Sequence, residues 1–266
     1  MPSVGQKLWR KLSRALLTHD PAYEDTFTNL QGKFFAPLYL ERIQSYLTRQ
    51  AEGRPLRILD AGCQVGRLAI PLAEAGHQVT AVDPSRFALR VGERYARRRG
   101  LRLTWIADDI ASLPQRYTAA SFDVVLCAEV LYLNRDHETL LRILLDLLAP
   151  GGLACISHRP KLHYIREALQ HHDYAAARFV LEHREGPFRG DGYYNWQTAD
   201  ELRQCYAQLP VQVLGIHPIA AFHGLVDVPA LSDEERHQLL DLERAAELAG
   251  TLDCARYLLV VSQKRP

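Results

Sequence analysis

Asp60, Asp83 and Asp109 each stand at the end of a short apolar run, and Gly62 and Gly66 follow the first of them within "RILDAGCQVGRLAIPLA". Ionised carboxylates accept hydrogen bonds at two oxygens, so one of them can hold both hydroxyls of a ribose. Glycines in a tight turn let the backbone approach a ligand closely. The two glycines are separated by three residues. That spacing is neither the GxGxxG of a dinucleotide fold nor the GxxxxGK[ST] of a triphosphate cradle, so the loop is not built for pyrophosphate. Asp83 lies about twenty residues beyond the loop, the separation at which an acid meets a ribose. Asp109 is placed to accept from an adenine amine. Asp60, at the loop entrance, is placed to meet an ammonium directly or through water.

These residues need a scaffold that gathers strand ends. Residues 1–53 read as a helical segment covering the site, with Leu38, Ile43 and Leu47 at helical spacing and Gly53 and Pro55 ending the pattern. From Arg57 short strands alternate with helices. The strands are 57–61, 78–83, 103–108, 122–129 and 153–157, and the helices lie near 66–75, 85–99 and 135–149. Repeated β-α units with right-handed crossovers give a mostly parallel sheet with helices on both faces. Ligands of such sheets bind at the carboxyl ends of the strands, near the switch in strand order. "PGG" at 150–152 reads as a turn before the fifth strand. The sequence divides into 1–53, a core at 54–158, an insertion at 159–210 and closing strands within 211–266. Those last strands are 211–216 and 255–261, and Thr198 with Glu201 forms a capping box that starts a helix.

Composition excludes several classes. A net charge of +1 provides no field for nucleic acid or anionic lipid. Cys63, Cys127, Cys155, Cys205 and Cys254 form no CxxC pair, so buried, reduced thiols are expected and no metal. No run reaches the length of a membrane span. "MPSVGQKLWRKLSRALL", with Trp9, is amphipathic and reads as a docking helix rather than a signal segment. A cytoplasmic protein is expected. Oligomeric state stays open, a homodimer included. The basic run from Arg94 to Arg102 ends a surface helix, where cations suit the dipole.

A ribose, an adenine and an amino-acid ammonium without phosphates describe S-adenosylmethionine. The chain resembles the class I S-adenosylmethionine-dependent methyltransferases over roughly 56–158. "LDAGCQVG" resembles the family's DxGxGxG loop, "VTAVDPS" its ribose-binding strand end, and "ADDIASLP" its adenine loop. "FDVVLCAEVLYL" resembles the fourth strand and "LLAPGGLACIS" the entry to the fifth. The resemblance implies an α/β, Rossmann-like, mostly parallel seven-stranded sheet with an antiparallel last strand and a lid inserted after strand five. It implies cofactor contacts from Asp60, Gly62, Cys63, Gln64, Gly66, Asp83, Pro84, Asp109, Ile110 and Glu129, with S-adenosylhomocysteine as product. Two departures stand out. Gln64 replaces the middle glycine, at a cost of about 1 kcal/mol if the position needs positive φ. Leu133 stands where relatives carry a histidine, so no base carries over there.

The sulfonium methyl is already activated, so positioning supplies much of the rate, and a base is needed only if the acceptor must lose a proton. His158, directly after the fifth strand, is the candidate base, and Tyr132 lines the acceptor side. His163, His171 and His172 read as residues of a solvated helix. Tyr193, Tyr194 and Trp196, in the Phe188–Trp196 stretch, are candidate acceptor contacts, with packing of the insertion as the alternative. Tyr23, Phe27 and Phe34 either close over the cofactor or dock the N-terminal segment. "CAEV" lacks the [DNS]PP[YFW] of amide and base-amine methylation, and the long aromatic insertion suits a closed pocket. The expected acceptor is therefore a small molecule, methylated on oxygen or nitrogen. A nucleic-acid or protein acceptor, and a silent binding module, are the rival readings.

Overall fold

The computed structural model describes residues 26–27, 31–190, 192–222, 225–226, 231–246 and 250–266. Trp9 and Tyr23 lie outside them. A π-helical turn (Gln31–Phe35) leads into α1 (Ala36–Ala51), whose buried face is Leu38, Tyr39, Ile43 and Leu47. There follow β1 (Arg57–Ala61), α2 (Ala69–Glu74), β2 (Gln78–Val82), α3 (Arg86–Arg98), β3 (Thr104–Ile106), β4 (Phe122–Cys127), α4 (His137–Asp146) and β5 (Leu148–His158). The insertion holds α5 (Lys161–Gln170), α6 (Tyr174–Glu182) and a hairpin of β6 (Glu185–Pro187) and β7 (Tyr193–Asn195). The chain ends with α7 (Ala199–Ala207), β8 (Val211–Ile219), α8 (Asp233–Ala245) and β9 (Tyr257–Lys264).

Seven strands form one sheet, as the resemblance implies, in the order β3-β2-β1-β4-β5-β9-β8. β1 to β5 are parallel, and β9 runs antiparallel between β5 and β8. The central strand β4 is buried along its whole length because both faces are covered. Ile58, Val124, Leu126, Cys155 and Leu259 pack toward α1, α2 and α8. Leu59, Val125, Cys127, Ile156 and Leu258 pack toward α4 and α7. The expected capping box of Thr198 and Glu201 starts α7.

Three sequence expectations are corrected. The "PGG" turn lies inside β5: the strand begins at Leu148, and a register shift against β4 absorbs the turn, with Gly151 at φ +73°. The aromatic stretch of the insertion is a hairpin with its own core, in which Trp196 is fully buried among Tyr164, Ala168, Val180 and Phe188. Cys205 and Cys254 are exposed, whereas Cys63, Cys127 and Cys155 are buried.

Candidate active site at the switch point

Strand order reverses between β1 and β4, so the crevice lies beyond their carboxyl ends. The β1–α2 loop is tied to β2 because Gly62 N and Cys63 N both donate to the Val82 carbonyl, at 2.8 and 3.0 Å. Gly62 and Gly66 have φ of +81° and +83°, and Gln64 has φ +53°. The glutamine therefore does adopt the left-handed conformation that its position suggested, at a cost of about 1–2 kcal/mol. Gly66 also meets a packing need. A Cβ there would stand 2.7 Å from the Trp105 ring, and one on Gly92 of α3 would stand 2.2 Å from the Val65 carbonyl and 2.8 Å from the same ring. These two glycines let α3 and Trp105 close beneath the loop. Gly92→Ala is accordingly expected to cost about 1–3 kcal/mol despite its better helix propensity. A lowered urea midpoint checks this, and an unchanged midpoint would contradict it.

Asp83, just past β2, faces the loop. Its Oδ2 accepts from Gln64 N at 2.9 Å and its Oδ1 from Ser85 N at 2.8 Å. Each oxygen keeps a further lone pair for a ligand hydroxyl. Burial raises its pKa, and those two amides counter the rise. Asp60 lies deeper, 3% exposed, and accepts from the Ala69 amide in the first turn of α2. Burial lifts its pKa to about 7, with Arg67 opposing and Asp83 adding to the rise. Asp109 is exposed and caps the 3₁₀ turn Ile110–Gln115 by accepting from Ser112 N at 3.1 Å. Ile110 is buried beneath it, and Pro84 is exposed beside Asp83.

The far wall joins Glu129 and Tyr132, which the sequence singled out, to Arg67, Arg159 and Tyr257, which it did not. Arg67 and Glu129 form an ion pair at 2.5 Å across the switch point, with side chains only 10% and 12% exposed. Tyr257, opening β9, donates to Glu129 Oε2 at 2.8 Å, and Glu129 N donates to Ser157 Oγ at 2.6 Å. Glu129 has φ +63°, which turns the chain out of β4 toward Arg67. Arg159 Nη2 then donates to the hydroxyls of Tyr257 (2.5 Å) and Tyr132 (3.2 Å), with its guanidinium 4.5 and 4.4 Å from their ring centroids. Arg67 carries a faint sequence signal, being the first polar residue after the glycine loop. Arg159 carries none, because its partners lie 27 and 98 residues away.

Comparison with known proteins agrees with this geometry. The family described as "Methyltransferase domain" matches residues 58–152. A ubiquinone biosynthesis O-methyltransferase of a Caulobacter species is 33% identical over 209 residues, covering 71% of this chain and 78% of that protein. The chain belongs to the class I S-adenosylmethionine-dependent methyltransferases. The protein of the same name from Methylocella silvestris is 44% identical over 152 residues, 56% of this chain and 57% of that protein's length. Two solved structures share the fold. Magnesium protoporphyrin IX methyltransferase from Synechocystis PCC 6803, with S-adenosylhomocysteine bound, gives a TM-score of 0.64 at 14% identity and covers 96% of this chain and 99% of its own. The 1,6-didemethyltoxoflavin-N1-methyltransferase of Burkholderia thailandensis gives 0.60 at 18%, covering 100% and 93%.

Within this methyltransferase fold the remaining sequence candidates separate. His158 points to the opposite face of β5, 4% exposed, with Nε2 2.9 Å from the Tyr206 hydroxyl of α7. Burial, aided by His137, lowers its pKa to about 3, so it is a weak base committed elsewhere and the assignment is withdrawn. His163 is buried rather than solvated, 3.1 Å from Arg159 Nη1, while His171 and His172 are exposed as read. Trp196 spends its indole N–H on the His183 carbonyl at 2.7 Å and is core to the insertion, not an acceptor contact. Tyr193 lies under Arg135, 4.2 Å from centroid to guanidinium carbon. Tyr194 packs between the insertion core and the main core, its centroid 5.5 Å from that of Tyr164. Phe34 is fully buried and docks α1, and Phe27 stacks on Tyr95 at 3.9 Å.

Proposed function

We propose that the protein transfers the methyl group of S-adenosylmethionine to a small-molecule acceptor, at oxygen or nitrogen. The observation that carries this reading is the Asp83 carboxylate, aimed at a phosphate-free glycine loop and fixed by the Gln64 and Ser85 amides. The donor set fits the cofactor: Asp83 for the ribose, Asp109 and Ile110 for the adenine with Pro84 beside it, and Gly62, Cys63, Gln64 and Gly66 for the backbone that approaches it. Asp60 and the Arg67–Glu129 pair serve the amino-acid end. When bound, S-adenosylmethionine supplies an electrophilic methyl group. The chain's own part is to orient, since neither His158 nor His163, the latter lowered to about 4 chiefly by burial, is a useful base at neutral pH. Tyr132, raised well above the usual phenol range chiefly by burial, stays protonated and orients the acceptor. The named relatives support small-molecule O-methylation, and the two structural neighbours are, by name, methyltransferases of magnesium protoporphyrin IX and of 1,6-didemethyltoxoflavin.

Incubation with methyl-deuterated S-adenosylmethionine and a panel of phenols, carboxylic acids and amines tests the reading. Label transferred with matching S-adenosylhomocysteine release supports it, and release that no panel member raises counts against it.

Asp60 predicts a pH dependence. Its pKa in the unliganded fold, about 7, lies above the ordinary 3.8, so the proton favours folding at low pH and that contribution is lost as pH rises through 7. A ligand ammonium favours the carboxylate. Affinity for S-adenosylhomocysteine is therefore expected to rise with pH up to about 7, by as much as tenfold per unit, then level off. Asp60→Asn should bind more weakly with this step removed. A flat wild-type profile between pH 5.5 and 8 would sink the assignment.

A further inference from the structure

Arg159 is a cation without a counter-ion. Its guanidinium is enclosed by the rings of Tyr132, Tyr257 and Tyr164, and among the described residues no carboxylate lies within 4.0 Å of it. Its polar partners are two phenols and His163 Nε2 at 3.1 Å, and its Nε is buried without a partner. Arg256 repeats the pattern alongside, over the rings of Phe35 and Tyr257, with its Nε also buried and unpartnered. The neighbouring carboxylates face other cations: Glu129 pairs with Arg67, and Glu167 lies 3.8 Å from Arg189. The His163 Nδ1 and the Tyr164 hydroxyl are further buried polar atoms without partners here. Burying an arginine against phenols and a neutral imidazole costs free energy that an anion would recover, because a guanidinium fork and an oxyanion make charge-assisted, often bidentate bonds.

Position decides whose anion it is. Asp83 lies past β2, on one side of β1, whereas Arg159 follows β5, two strands away on the other side. At about 4.8 Å per strand, β5 is roughly 10 Å from β1, beyond the ribose and adenine contacts and next to Tyr132.

We propose that Arg159 is the anion anchor of the acceptor site, and that the molecule methylated carries a carboxylate or a comparable oxyanion that its guanidinium holds, with Arg256 in support. This rests on the methyltransferase reading above and names the substrate class. Arg159 binds; it takes no proton, since a guanidinium remains charged at any working pH.

The test is calorimetric titration of the full chain, saturated with S-adenosylhomocysteine, with benzoate and with its neutral isostere benzamide. The wild type should bind benzoate at least tenfold more tightly than benzamide. Arg159→Gln should bring benzoate down to the benzamide level while leaving S-adenosylhomocysteine affinity within twofold. Arg159→Lys, which keeps the charge and loses the fork, should fall between, and it supplies the comparison if thermal unfolding shows Arg159→Gln misfolded. Equal wild-type affinity for the two probes, no benzoate binding, or benzoate affinity unchanged by the substitution would overturn the proposal. So would a loss of S-adenosylhomocysteine affinity in Arg159→Gln with benzoate competing for that ligand, which would give the anchor to the cofactor's own carboxylate. Failure of the wild type to bind S-adenosylhomocysteine would instead count against the methyltransferase reading itself.

Discussion

Asp83→Ala is expected to weaken S-adenosylhomocysteine binding at least a hundredfold. A ribose held by one carboxylate donates two charge-assisted hydrogen bonds to it, each contributing about 1.5–3 kcal/mol, and 1.4 kcal/mol is tenfold in affinity. The same carboxylate receives Gln64 N and Ser85 N. Its removal therefore also loosens the glycine loop, whose Gln64 is held at φ +53°. Asp83→Asn separates the two effects. The amide keeps an acceptor oxygen and the side-chain shape, so the loss should be smaller, about tenfold. Calorimetry together with circular dichroism checks this: affinity must fall while the folded spectrum persists. Retained affinity in the alanine variant would remove Asp83 from the site.

The second large effect concerns stability. Glu129→Gln is expected to destabilise the protein by about 3–5 kcal/mol, because it removes the carboxylate that faces the buried Arg67 guanidinium at 2.5 Å. Arg67 lies over the Tyr39 ring, 5.7 Å from its guanidinium carbon. Adding Arg67→Met to Glu129→Gln should restore much of the loss, since it removes the buried cation whose carboxylate partner has gone. Urea unfolding of the two single variants and the double variant closes the cycle. A double variant less stable than either single one, by the sum of both, would show that the two side chains act independently. The pair also fixes where β4 hands over to the loop beyond it, so the Glu129 variant should bind the cofactor more weakly as well.

Most of the strands and the glycine loop were legible because each depends on local pattern: apolar runs, glycine spacing and an acid at each strand end. The positive φ of Gln64 was legible for the same reason, since its place in the loop dictates its backbone. What escaped was the side of the sheet to which a residue points. Alternation puts Ala154, Ile156 and His158 on one face of β5 and Cys155 and Ser157 on the other. Because helices cover both faces, apolar character alone does not say which face meets the crevice, and so His158 read as a base although it packs on Tyr206. Arg159 escaped for a different reason. Its environment is assembled from β5, the turn after β4 and the start of β9, pieces brought together only by the antiparallel insertion of β9 beside β5. Trp196 read as a candidate acceptor contact because it ends a glycine-rich aromatic stretch. Those glycines allow the hairpin to fold over it: Gly186, at φ +156°, gives room to the Phe179 ring, against which a Cβ would stand at 2.6 Å.

One titration tests the central claim, that the switch point holds a phosphate-free adenosyl ligand. The full chain is titrated calorimetrically with S-adenosylmethionine and S-adenosylhomocysteine, and separately with NAD and ATP. Micromolar, one-to-one binding of the adenosyl pair, with neither phosphate-bearing nucleotide bound, is the predicted result. Binding of NAD or ATP in preference, or no binding of the adenosyl pair, would contradict it.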